Sequence, residues 1–186
     1  MKLCTMALSA ALALAASTVS NAQEMPAPPK PGPEHELFKM DAGTWDAVVE
    51  MTPPGAPPMT SKGVQVDTVA CGGLCLLTEF TGEMMPGMTF EGRGLTTYDQ
   101  TRKKYVGSWT DTMSSGLAIS EMTYDAATRK GTAWMEGPDM TGTVVKSKSV
   151  SEYRDNDHKV MTMYMTGSDG KEVQTLRISY TRRRQP

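Results

Sequence analysis

The sequence predicts an all-β fold: a single antiparallel up-and-down meander of about ten strands closed into a barrel, with a short N-terminal helix closing one end. Three observations carry this expectation. The phrase Thr97-Tyr98-Asp99-Gln100-Thr101-Arg102-Lys103 returns as Thr123-Tyr124-Asp125-Ala126-Ala127-Thr128-Arg129-Lys130. Each copy lies between two runs of alternating apolar and polar residues, which is how a hairpin connection reads. After Gly43 the hydrophobic period is two, with no convincing helical stretch. The first and last runs also each present an apolar face, Trp45, Ala47, Val49 and Met51 at one end and Leu176, Ile178 and Tyr180 with Arg182 at the other. Barrel closure requires such faces at both chain ends and leaves no unpaired edge. An open two-sheet sandwich is the alternative arrangement.

Taken in order, residues 1–22 have the features of a secretory signal peptide. Lys2 gives a positive start, Leu3 to Ala16 an apolar run, and Ser20-Asn21-Ala22 the small residues of a cleavage site before Gln23. The apolar run is shorter than the about 20 residues that a membrane span needs. Cys4 lies too early to be a lipidated cysteine after cleavage. The expected location is therefore periplasmic or secreted. Residues 23–33 form a proline-rich extended leader, and residues 34–186 the barrel domain.

Within the domain, Glu34 to Ala42 suits a short helix stopped by Gly43. Ten strands are then predicted, at 44–51, 61–70, 74–81, 89–98, 104–112, 117–124, 131–135, 143–153, 159–166 and 172–183. Pro53-Pro54-Gly55-Ala56-Pro57-Pro58 is too rich in proline for a strand, while Asp155-Asn156-Asp157 and Ser168-Asp169-Gly170 are turn signals. In the repeated phrase, the aspartate is suited to accept hydrogen bonds from the backbone two residues on.

The formal charge of −2 for the whole chain lacks the footprint of a nucleic-acid binder. Arg182-Arg183-Arg184 is a local exception that reads as a solvated chain end, and no segment after the leader is apolar enough to span a membrane. Cys71 and Cys75 flank Gly72-Gly73-Leu74. In an oxidising compartment they favour a disulfide over a metal-binding dithiol, no histidine being near in sequence.

Gly43-Thr44-Trp45 after a short helix resembles the Gly-x-Trp signature of lipocalin-like (calycin) barrels. That resemblance implies an arginine near the end of the last strand packed across the tryptophan. Arg182 is the match, with Arg177 second; guanidinium over indole is a favourable cation–π contact. Nearly the whole of the chain after the leader resembles the bacterial domain-of-unknown-function 1579 family. The resemblance rests on Pro33-Glu34-His35, Gly43-Thr44-Trp45, Phe90-Glu91-Gly92-Arg93-Gly94, Tyr98-Asp99, Ser108-Trp109-Thr110-Asp111-Thr112-Met113-Ser114 and Ile178-Ser179-Tyr180-Thr181-Arg182. It implies a calycin-like barrel and no assigned activity. The cysteine pair and the 16 methionines are less typical of it.

Three functions follow as expectations. The preferred one is non-catalytic binding of a small apolar ligand inside the barrel, without a cofactor, lined by Trp109, Asp111, Glu121, Met163 and Tyr180, with Trp45 and Arg182 structural. Here Met161, Met163 and Met165 line the interior, and Met84, Met85 and Met88 form an exposed loop cluster. The second is an envelope copper or haem protein, since thioethers suit Cu(I). It would use the methionines with Cys71 and Cys75, or else His35 or His158. The third is a hydrolase or isomerase in which Asp111 and Glu121, placed on apolar faces, act as buried acid and base. The oligomeric state stays open.

Overall fold

The computed structural model describes residues 27–52, 57–85, 87–167 and 170–184, with the side chains of Met84 and Met85 excluded. Residues 1–22, expected to be a signal peptide, and the start of the proline-rich leader lie outside the described residues. A single 3-10 turn, Pro33–His35, leads into a short helix α1, Glu36–Asp41. Ten strands follow: β1 Gly43–Met51, β2 Met59–Ala70, β3 Cys75–Met85, β4 Met88–Asp99, β5 Lys104–Asp111, β6 Ala118–Asp125, β7 Lys130–Pro138, β8 Val144–Tyr153, β9 His158–Thr166 and β10 Glu172–Arg182. Each pairs antiparallel with its sequence neighbours, and β1 pairs with both β2 and β10, closing the barrel. The sandwich alternative is thereby excluded.

Two predicted boundaries move by three residues or more. The strand expected to stop at Thr81 continues to Met85 through a register shift at Glu83, so the backbone of Met84 and Met85 belongs to β3 and not to a loop. Strand β7 runs on to Pro138. Proline is tolerated there because it is the last residue of the strand.

The repeated Tyr-Asp phrase builds two near-identical turns. Asp99 Oδ1 accepts hydrogen bonds from the amides of Thr101 and Arg102, both at 2.9 Å, and Asp125 Oδ1 accepts from the amide of Ala127 at 2.9 Å. Four residues after each aspartate the chain turns left-handed, at Lys103 (φ 52°) and Arg129 (φ 54°). The tyrosines before them, Tyr98 and Tyr124, point inward and pack with Tyr105 and Tyr153 against Leu37 and Phe38 of α1. The phrase thus couples a turn at one barrel end to a ring of phenols that seats the helix.

That end is closed by a latch between the two termini of the barrel. Trp45, 1 % exposed, sits opposite Arg182 across the β1–β10 ladder. Its indole Nε1 donates to the Asp41 carbonyl at 2.8 Å. The Arg182 guanidinium carbon lies 4.0 Å from the ring centroid. Its Nη1 and Nη2 donate to the Ala42 and Met40 carbonyls, each at 2.6 Å, so it satisfies the carbonyls that end α1. Gly43 has φ 131°, and a Cβ there would stand 2.7 Å from Arg182 Nη1; only glycine fits on both counts. Arg182 is therefore part of the closure and not a tail, whereas Arg183 pairs with Asp46 on the surface. Arg177, the second choice for the latch, pairs with Glu50 at 2.8 Å instead. Cys71 and Cys75 are joined by a disulfide across the β2–β3 turn at the same end, with Cα atoms 5.5 Å apart.

Two outcomes are expected. Arg182→Ala should lower unfolding free energy by about 2–4 kcal/mol, through loss of charge-assisted hydrogen bonds and a cation–π contact, as measured by urea denaturation. Replacing both Cys71 and Cys75 by serine should cost about 2 kcal/mol, the value for so short a loop, with barrel circular dichroism retained.

Candidate functional site

With one end sealed, the interior is reached from the other, where the β1–β2, β3–β4, β5–β6, β7–β8 and β9–β10 connections lie. The barrel encloses a cavity of about 350 Å³, within the usual range of about 300–1,000 Å³ for small-molecule sites. Its walls differ. Phe80, Phe90, Trp109, Met161, Met163 and Ile178 form an apolar side, while Thr96, Ser120, Ala133, Ser149 and Ser151 keep the facing side small and partly hydroxylated. Register explains the void: across the β8–β9 and β7–β8 ladders Met161 faces Ser151, which faces Gly131, and Met163 faces Ser149, which faces Ala133. Each long side chain is followed by two small ones. Trp109 lies flat over backbone, since Cβ atoms added at Gly92 or Gly94 would meet its ring at 2.1 and 3.0 Å.

The floor of the cavity is charged. Helix α1 directs Leu37, Phe38 and Asp41 inward, the spacing that shares one helix face. Lys159 Nζ donates to Asp41 Oδ1 at 2.6 Å and to Asp67 Oδ2 at 3.4 Å. It also lies 4.3 and 5.3 Å from the ring centroids of Trp45 and Tyr180. Asp67 accepts further hydrogen bonds from Thr78 Oγ1 and Gln65 Nε2, both at 2.7 Å. Tyr153 Oη donates to Asp41 Oδ2 at 3.0 Å. Burial pushes the Asp67 carboxyl above its usual range; Lys159 opposes that shift and Asp41 adds to it. Burial likewise raises the phenols of Tyr153 and Tyr180, and Tyr105 is pushed up to about 12. These tyrosines stay neutral hydrogen-bond donors across the physiological range.

Of the five lining residues expected from the sequence, three face the cavity: Trp109, Met163 and Tyr180. Asp111 faces inward on β5 but nearer the mouth, where it accepts a hydrogen bond from Trp109 Nε1 at 2.8 Å and another from the Met113 amide at 2.8 Å. It orients the indole. Glu121 corrects the expectation. It points outward, held by Arg102 and by Lys104 at 2.8 Å. Leu117 and Ile119, which suggested a buried face, are 55 % and 49 % exposed. The β6 residues that line the cavity are Ser120 and Met122. Asp111 and Glu121 thus stand on opposite faces of the sheet, and the acid–base pair of the third reading does not exist.

The metal and haem readings lose their cysteine and histidine ligands. The cysteines are joined in a disulfide and offer no thiolate. His35 is buried in the helical cap, where its Nδ1 accepts a hydrogen bond from the Gly32 amide at 2.9 Å and its ring meets Phe38 and Tyr98 edge-on. His158 is exposed and bonded to Asp155 in a turn. Neither histidine faces the cavity. Met161 and Met163 do, as expected, among aromatic carbons. Met88 is exposed at the mouth, and the side chains of Met84 and Met85 lie outside the described residues.

Residues 30–182 match the family described as Protein of unknown function (DUF1579). The chain belongs to that family. No curated protein matches it. Among solved structures it is similar to Rv2717c from M. tuberculosis, at 14 % identity and TM-score 0.62, covering 82 % of this chain and 99 % of that one. It is also similar to the S-type phycobiliprotein lyase CPES from Guillardia theta, at 11 % identity and TM-score 0.54, over 82 % and 94 % of the two chains. At such identities the likeness concerns the barrel alone. Among the described residues no helix is long and apolar enough to cross a membrane.

The charged floor predicts a pH signature. Asp67 keeps its proton in the native state over a range where the unfolded chain has lost it. The stability this group contributes is therefore fully present below its ordinary value of 3.8 and is lost as pH rises through the raised native value. Urea unfolding of wild type and Asp67→Asn across this range should show the wild-type advantage shrinking with rising pH; a difference independent of pH would contradict the assignment.

Proposed function

We propose that this DUF1579 barrel is an exported binding protein, periplasmic or secreted once residues 1–22 are removed, that holds one small, largely apolar ligand and catalyses no reaction on it. The observation that carries the reading is the cavity: a one-ended void of about 350 Å³ walled largely by aromatic rings and thioethers, in a barrel whose small β7 and β8 residues keep it open. A barrel interior that served packing alone would be filled, since voids cost stability in proportion to their volume. Apolar ligands gain from leaving water for such a wall. The aromatic and methionine surface accommodates varied shapes, methionine being the most adaptable core side chain. The disulfide fits an oxidising compartment.

Native mass spectrometry of protein purified from its source cells tests both parts. A chain starting at Gln23, with a small organic molecule released on denaturation, is the expected result. A chain retaining residues 1–22 would end the export reading, and a bare chain would end the binding one. The variant Ala133→Leu, which fills the void from β7, should lose the bound mass while keeping or raising the thermal midpoint.

A further inference from the structure

The floor specifies more than apolarity. Asp41, Asp67 and Lys159 place two carboxylates around one ammonium, 2.6 and 3.4 Å from it, with side chains only 13 %, 1 % and 9 % exposed. Lys159 is the only cationic side chain lining the cavity among the described residues, while Glu83 adds a third acid near the mouth. Arg182 is close by, but its guanidinium is held by the carbonyls of Met40, Ala42 and Asn156 and lies outside the lining. Among the described residues the one cation of the lining is thus outnumbered by acids. A ligand carboxylate reaching the floor would meet a second negative charge with no free cation, in a site where like charges repel strongly.

The floor nevertheless offers hydrogen-bonding capacity. Tyr180, 7 % exposed and on the cavity wall, has no hydrogen-bond partner for its hydroxyl among the described residues. Gln65 gives its amide hydrogen to Asp67, and its Oε1 accepts no hydrogen bond from the described residues. Asp67 is bonded by Thr78 and Gln65 and approached by Lys159, and a carboxylate has lone pairs for about one more donor. The groups that face Asp67 are thus Asp41 from α1, Gln65 from its own strand, Thr78 from β3, Tyr153 from β8, Lys159 from β9 and Tyr180 from β10. The phenol and the amide oxygen thus face the cavity with hydrogen-bonding capacity that a ligand or water can use.

From this arrangement we propose that the cavity selects ligands whose inner end is a hydrogen-bond donor without negative charge, an alcohol or an amine, and discriminates against carboxylates. The donor group binds Asp67 and Gln65, the Tyr180 hydroxyl bonds the same group, and the apolar remainder lies along Phe80, Trp109, Met161 and Met163. This rests on the ligand-binding reading above. The upward push that burial and Asp41 give the Asp67 carboxyl agrees with it, since the floor holds less positive charge than its two acids call for.

Isothermal titration calorimetry of the purified protein at neutral pH with decanol, decylamine and decanoate separates the possibilities. The expected result is binding of decanol and decylamine with decanoate weaker by about tenfold or more. Decanoate binding as tightly as decanol would overturn the selectivity while leaving the cavity reading intact. Binding of none of the three would overturn the cavity reading, and the selectivity with it. Asp67→Asn, with its fold checked by circular dichroism, should narrow the gap between decanol and decanoate. An unchanged gap in the folded variant would remove Asp67 from the role, and if the variant does not fold the wild-type series decides alone.

Discussion

The rest of the molecule depends on the contact between Trp45 and Arg182. It joins the first strand to the last, so it exists only in the closed barrel, and it binds the helix to both. The indole hydrogen bond to the Asp41 carbonyl fixes where α1 ends, and the guanidinium holds the two carbonyls that follow the helix face, Met40 and Ala42. These contacts set the position of the Asp41 side chain. Asp41 in turn draws Lys159 inward from β9, and Lys159 completes the floor with Asp67. A structural latch on the outside of the plug thus determines the chemistry on its inside. Charge-assisted hydrogen bonds of this kind are each worth about 1.5–3 kcal/mol, enough to keep a six-residue helix that would be too short to persist alone.

The fold was legible because the sheet is a meander and each local signal agrees with the global one. Hairpin turns with a capping aspartate, period-two strands and a glycine before tryptophan all lead to the same barrel, and consistency across levels is what makes a sequence specify one structure. The family resemblance is shown by the match over residues 30–182. Where the reading erred, the cause was local. Leu117, Ile119 and Glu121 alternate like an inward apolar face, yet β6 turns Ser120, Met122 and Tyr124 inside. The ion pairs of Glu121 with Arg102 and Lys104 could not be inferred from sequence spacing, because they join residues 19 and 17 positions apart across the β5–β6 hairpin.

The site was less legible, for one physical reason. Choosing the inward face of each strand by its apolarity works for a packed core and fails for a wall that borders a cavity. In β2 the valines Val64 and Val66 point outward, and Ser61, Gln65 and Asp67 point in. In β8 the serines 147, 149 and 151 point in while Lys146 and Lys148 point out. Of the residues missed from sequence, Gln65 and Asp67 are on such a strand, Asp41 is on the helix, Lys159 shares the inward face of β9 with Met161 and Met163, and Phe80 and Phe90 are apolar residues of β3 and β4. A signal was present in retrospect: a strand whose polar face carries serines, a glutamine and an acid has no reason for so many small polar groups if that face meets water.

The floor also separates what the fold needs from what it does not. Closing the barrel requires Asp41 only through its backbone, and a single buried ion pair with Lys159 would already balance charge there. Asp67 adds a second acid in a setting where an uncompensated charge is expensive, and replacing buried ion clusters by apolar side chains is often neutral or stabilising. Its retention is achieved at the expense of two further hydrogen bonds from Thr78 and Gln65, and by a carboxyl that burial drives toward its neutral form. None of this strengthens the latch. The interactions around Trp45, with Tyr180 packed in the same cluster, account for the closed end, whereas the side chains of Asp67 and Gln65 face the void and stabilise nothing that closure demands. In a barrel otherwise explained by packing, the groups with no part in the scaffold are those that define what the cavity can hold.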